Sequence, residues 1–106
     1  MDTVSVVVCT YNGAQYVKEQ LDSILRQTRL PDQVVIQDDA STDNTMEILE
    51  EYTNKYPFIQ VYRNKENKGF RDNFFEAISN ATCDYIALSD QDDVWTDNHI
   101  EVLLDL

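Results

Sequence analysis

Alternation constrains this chain more than any other feature. Residues 4–9 (VSVVVC), 33–37 (QVVIQ), 58–62 (FIQVY) and 85–89 (YIALS) are short apolar runs. β-branched residues dominate the first two, the composition of strands buried on both faces. The third carries Gln60 and is expected to be less covered, and the fourth again reads as a buried strand. Between the runs, Val17, Leu21, Ile24 and Leu25 recur at helical spacing within residues 14–28, a segment ended by Pro31 and Asp32. Ile48, Leu49, Tyr52 and Tyr56 mark a second amphipathic helix, closed near Pro57, and Phe70, Phe74, Ala77 and Ile78 a third. Thr96 is expected to cap a last helix bearing Ile100, Leu103 and Leu104. Strand–helix alternation of this kind specifies an α/β fold: a parallel sheet of about four strands, with helices on both faces and right-handed crossovers. If the fourth strand returns beside the first, the order is 3-2-1-4. Ligands of such sheets bind beyond the strand C-termini, where the order reverses.

Length allows one domain, since 106 residues bury roughly two thirds of their unfolded surface. With only two Gly and two Pro, the chain is neither a linker nor a low-complexity tract. It contains no apolar run near the roughly 20 residues of a membrane span, and residues 1–8 lack a signal-peptide pattern. Cys9 and Cys83 lie far apart and read as reduced thiols of a cytoplasmic protein. A net charge of −12 argues against a nucleic-acid partner, because binding there rests on Lys and Arg. An anionic ligand would need a positive mediator, and a divalent cation is the natural one. Four of the eight Lys and Arg fall in one stretch: Arg63, Lys65, Lys68 and Arg71.

Three polar loops, residues 10–13 (TYNG), 38–43 (DDASTD) and 90–93 (DQDD), follow strands one, two and four, and would converge on one crevice. Asp90, Asp92 and Asp93 put three carboxylates into four positions, which is unfavourable unless water or a cation offsets the repulsion. Oxygen ligands at that density suit Mg²⁺ or Mn²⁺. The first turn holds a single glycine, so it is no dinucleotide fingerprint, and the chain has no Walker A, C-x-x-C or H-E-x-x-H motif. His99 reads as a surface residue. The DQDDV stretch also satisfies the D-x-D-x-[TV] pattern of haloacid dehalogenase-type phosphatases, but that motif belongs after the first strand. An EF-hand reading fails because Trp95 stands where the loop demands Gly.

VSVVVCTYNG, VVIQDDASTDNT, NKGFRDNF and YIALSDQDDVW, in that order, resemble the successive motifs of glycosyltransferase family 2. The wording is most like the bacterial rhamnosyltransferase-like branch of surface polysaccharide assembly. The resemblance implies a Rossmann-like GT-A nucleotide-binding half, with residues 1–106 as a single nucleotide-sugar-binding domain. It implies inverting, metal-dependent transfer from a UDP- or dTDP-sugar to a saccharide or lipid-linked acceptor, in the cytoplasm. Membrane association would come only through regions outside these residues.

Carried over by motif, Cys9, Thr10, Tyr11 and Asn12 would serve the nucleotide, with Tyr11 packing on the base. Cys9-Thr10 stands where Pro-Thr is commoner in the family. Asp39 would accept from the base N3–H, selecting uridine or thymidine over cytidine, while Asp38 either joins it or caps the loop. Asp90 would contact the ribose or lie close to the metal. Asp92 would ligate Mg²⁺ or Mn²⁺, with Asp93 as support or second ligand. Lys68 or Arg71 would add a positive charge. The general base is expected beyond Leu106, so the chain alone is expected to bind nucleotide weakly and transfer no sugar. Two readings compete. A receiver-like signalling domain would need an acid pair after the first strand and a late Lys, yet no Lys follows Lys68. The other is a non-catalytic interaction domain.

Overall fold

In the computed structural model, which describes residues 2–89 and 94–105, the first strand is one of two inner strands of a parallel sheet. The strands are β1 (Val4–Thr10), β2 (Gln33–Asp38), β3 (Ile59–Arg63) and β4 (Tyr85–Ser89), in the order β3-β2-β1-β4. This is the order that the alternation implies. In register, Thr10 lies opposite Asp38, Asp38 opposite Arg63, and Val8 opposite Ser89. All four strands therefore release the chain at one edge.

Side chains alternate between faces along each strand. Val4, Val6, Val8, Val34 and Ile36 pack with α1 (Val17–Leu25), α2 (Thr45–Lys55) and α4 (His99–Leu104), contributing to one core with Leu21, Leu49, Trp95 and Ile100. On the other face Val7, Cys9 and Val35 lie under α3 (Phe70–Ser79), which reaches them through Ala77 and Phe74. This second face is unusually polar, because Ser5, Gln33 and Gln37 share it. All three are buried and bonded: Ser5 Oγ donates to Gln33 Oε1, and Gln33 Nε2 to Gln60 Oε1 at 2.8 Å. Gln37 Nε2 donates to Asn64 Oδ1, also at 2.8 Å. Satisfied in this way, buried amides avoid the desolvation penalty of an orphaned polar group.

Several expectations need correction. The first helix starts at Val17 rather than residue 14, because the Gly13 carbonyl accepts from both Tyr16 and Val17 N–H and closes a turn there. β4 is not a buried strand: Tyr85, Ile86 and Leu88 are 52, 42 and 54% exposed. Among the described residues it has a neighbouring strand on one side only. Phe70, placed on the buried face of the third helix by its spacing, is 69% exposed. Asn98, not Thr96, holds the cap position of α4, while the Thr96 carbonyl accepts from His99 N–H. His99 is half-buried, its ring 4.4 Å from that of Trp95. Cys9, buried, and Cys83, half-buried, are thiols outside any disulfide. Among the described residues, no helix is long and apolar enough to cross a membrane.

The contrast between inner and edge strands is measurable. Ile36→Ala, at a fully buried β2 position, should cost about 2–5 kcal/mol through lost burial and a residual cavity. Leu88→Ala on β4 should stay within about 0.5 kcal/mol. Urea denaturation of the two variants reads the difference.

Candidate functional site

The loops after β1 and β2 are welded to each other. Asn12 N–H donates to Ser41 Oγ at 2.8 Å, and Asn12 Oδ1 accepts from Thr42 N–H at 2.8 Å. Gly13 N–H donates to Thr45 Oγ1 at 3.0 Å, and Ala14 N–H to Asp43 Oδ2 at 3.2 Å. Asn12 has φ +48°, a left-handed conformation that Asn tolerates better than most residues. Ala40 has φ +62°, which disfavours a side chain by about 1–2 kcal/mol. It lies between two anchored residues, Asp39 and Ser41.

Burial pushes the Asp43 carboxyl up, but bonds from the Thr45 hydroxyl, Thr45 N–H and Ala14 N–H outweigh that and hold it below the usual 3.8. The Val4 N–H similarly lowers Asp32, with help from Arg29.

The two adjacent acids at the end of β2 have different surroundings. Asp38 is fully buried and accepts from Thr10 Oγ1 at 2.7 Å, Ser41 Oγ at 2.6 Å and Ser41 N–H at 2.9 Å. These bonds are those of a loop cap, one of its two alternatives. Asp39, 3% exposed, turns to the other side. Its Oδ1 accepts from Asn64 Nδ2 at 2.8 Å and Lys68 N–H at 2.7 Å, and its Oδ2 from Gly69 N–H at 2.9 Å. Gly69, at φ +88°, supplies the backbone form that brings its N–H there.

Over Asp39 opens a cleft of about 390 Å³, walled by Cys9, Thr10 and Tyr11 on one side and Gly69, Phe70 and Asn73 on the other. The volume is that of a small-molecule site. Tyr11 and Phe70 are 47 and 69% exposed, so two aromatic rings stand at its mouth. The Phe70 ring is itself propped edge-on against Phe74 at 4.7 Å.

Other sequence candidates fall elsewhere. The Asn12 side chain is committed to the second loop. Lys68 sends only its N–H toward Asp39; its ammonium pairs with Glu76 of α3 at 3.7 Å. Arg71 sits over the Phe75 ring, 5.6 Å from its centroid, because residues four apart share a helix face. Neither cation lines the cleft. Asp90, Asp92 and Asp93 lie outside the described residues. Among the described residues, no group of three or more His, Cys, Asp or Glu could hold a metal ion.

Residues 5–106 match the family model described as glycosyl transferase family 2. The chain belongs to glycosyltransferase family 2.

Like other members, it shares both sequence and fold with proteins of known name. It is 40% identical over 103 residues to the dTDP-rhamnosyl transferase RfbG of Shigella flexneri, covering 92% of this chain and 36% of that protein. It superposes on TarS 1–349 of S. aureus in complex with UDP with a TM-score of 0.87 and 31% identity, over 97% of this chain and 31% of that one. The mannosyltransferase PcManGT of Pyrobaculum calidifontis, in complex with GDP-Man and Mn²⁺, matches with a TM-score of 0.80 and 30% identity, over 89 and 28%. The chain spans about a third of the length of the curated relatives it matches.

Sequence reading of this family 2 chain missed three groups of residues. Phe70 was placed in the core. Asn64, Asn73 and Gln37, which surround Asp39, had no local signal beyond their polarity inside apolar segments. Gln20 and Ser23 on α1, with Gln27 just past its end, form a buried polar strip. Gln20 Nε2 donates to Ser89 Oγ at 2.9 Å, Ser23 Oγ accepts from Trp95 N–H at 3.1 Å, and Gln27 Oε1 from Ile100 N–H at 3.0 Å. One helix face thus holds chain on either side of residues 90–93.

Acid titration tests the weld. A carboxyl whose folded pKa is depressed stabilises the fold above its unfolded value and loses that contribution as pH falls through the folded one. Stability measured with urea should therefore fall between pH 7 and pH 3, and fall less in Asp43→Asn. Equal slopes would show that Asp43 does not link the loops.

Proposed function

We propose that residues 1–106 form a single nucleotide-sugar-binding domain, and that the whole protein is an inverting, metal-dependent glycosyltransferase. The donor would be a UDP- or dTDP-sugar, and the acceptor a saccharide or lipid-linked saccharide of bacterial surface polysaccharide synthesis, at the cytoplasmic side of the membrane. The observation that carries this reading is the fixed Asp39 carboxylate beneath two exposed aromatic rings. A carboxylate oxygen has two lone-pair positions, and among the described residues Oδ2 accepts from Gly69 N–H alone. The remaining position suits a base that presents N–H, as uracil and thymine do at N3. Rings such as those of Tyr11 and Phe70 suit stacking. Among relatives, the dTDP of RfbG's name and the UDP bound to TarS support a pyrimidine base, whereas PcManGT holds GDP-Man.

Donor charge supports a cation. A pyrophosphate next to a chain of net charge −12 is repelled unless positive charge intervenes, and neither Lys68 nor Arg71 lines the cleft. The carboxylates of Asp92, Asp90 and Asp93 are hard oxygen donors of the kind that hold Mg²⁺ or Mn²⁺. Such an ion would supply Lewis-acid stabilisation of the diphosphate leaving group, about several kcal/mol. The Mn²⁺ in the PcManGT complex supports the same class of metal. We assign no general base within residues 1–106 and expect this chain to bind donor without transferring sugar.

Calorimetry with UDP or dTDP tests the proposal. Binding is expected to need Mn²⁺ or Mg²⁺ and to weaken about tenfold or more in Asp92→Asn. Equal binding without metal, unaffected by that substitution, would contradict it.

A further inference from the structure

Asp39 is held by amides whose orientation is itself fixed. Asn64, at the end of β3 and 6% exposed, donates through Nδ2 to Asp39 Oδ1 at 2.8 Å and to Asn73 Oδ1 at 2.7 Å. Its Oδ1 accepts from Gln37 Nε2 at 2.8 Å. Asn73, 3% exposed, spends its Nδ2 on the Gln37 carbonyl at 3.1 Å, and Gln37 Oε1 accepts from Asn80 Nδ2 at 3.2 Å. Reversing the Asn64 amide would set oxygen against the Asp39 carboxylate and nitrogen against the Gln37 amine. That cost, at a buried site, leaves one orientation.

An amide NH₂ also differs from a hydroxyl or an acid: its nitrogen donates and does not accept. Asn64 therefore supports Asp39 only as an acceptor. We propose that Asn64 is a positioning residue for nucleotide recognition. It locks the rotation of the Asp39 carboxylate so that Oδ2 faces the cleft, and it keeps that oxygen an acceptor for a base bearing N–H. The proposal rests on the reading of the cleft as a nucleotide site.

Asn64→Asp gives a readout that a purely structural role would not move. It sets a second carboxyl against Asp39 Oδ1, and two carboxyls that close share one proton rather than both ionise. At low pH the shared proton replaces the amide N–H; at high pH the pair repels. Neighbouring charges are otherwise engaged. Asp38 is bonded to Thr10 and Ser41, Lys68 pairs with Glu76, and Arg63 donates to the Ser41 carbonyl at 3.2 Å. The Cys9 thiol is across the cleft.

The test is calorimetric titration of UDP and CDP, with Mn²⁺ present, from pH 5 to pH 8. Unsubstituted chain, Asn64→Ala and Asn64→Asp are compared. Asn64→Ala should bind UDP about tenfold more weakly, with a reduced preference over CDP, at every pH. Asn64→Asp should bind UDP nearly as the unsubstituted chain does at pH 5 and about tenfold more weakly at pH 8. A UDP profile for Asn64→Asp parallel to the unsubstituted chain, or an unchanged UDP-to-CDP ratio in both variants, would overturn the proposal while leaving the nucleotide reading intact. If the unsubstituted chain binds neither nucleotide, the reading fails and the proposal with it. Should Asn64→Ala not fold, the pH profile of Asn64→Asp still decides.

Discussion

The carboxylate of Asp39 ties the end of β2 to the turn that opens α3. Two backbone N–H groups and one side-chain amide converge on it, in a site almost closed to water. Charge-assisted bonds of this kind are the stronger ones a protein makes. Without this carboxylate, the Lys68 and Gly69 N–H groups would lose the acceptor they meet here. The chain turns through Gly69 just where those bonds require it, and Phe70 follows at once, carried to the mouth of the cleft. The same interaction that closes the β3–α3 connection thus places one wall of the site.

The opposite wall depends on a separate device. Asn12, Thr45 and Asp43 bind the loop after β1 to the loop after β2, so Tyr11 projects from a doubly anchored backbone. Its neighbour Asp38 is consumed in that anchoring. Two adjacent carboxylates thereby do different work: one holds loops together inside the protein, and the other faces the ligand-sized space.

Sheet order and helix placement were legible in the sequence because β-branched runs and 3.6-residue periodicity are local signals. The difference between Asp38 and Asp39 was partly legible too. Alternation along β2 puts Asp38 on the face of Val34 and Ile36 and sends Asp39 toward the side of Val35 and Gln37, hence toward α3. What the sequence did not disclose was tertiary in origin. YIAL reads alike whether its strand is covered or stands at an edge, and Phe70 keeps helical spacing with Phe74 whether or not it meets a core. Asn64 and Asn73 acquire their meaning only when β3, α3 and β2 meet. Lys68 and Arg71 were drawn toward the diphosphate by motif position, yet Glu76 and the Phe75 ring of α3 are the partners they meet.

Family membership, a sheet that ends on one edge, and a cleft whose floor is an oriented acceptor form one account, with its centre at Asp39. Chemical-shift mapping of the ¹⁵N-labelled chain with UDP and Mg²⁺ tests it most directly. The account predicts that the largest shifts fall on the amides of Tyr11, Asp39, Lys68, Gly69 and Phe70. Shifts confined to the apolar edge at Tyr85, Ile86 and Leu88, or none at the cleft at saturating nucleotide, would contradict it.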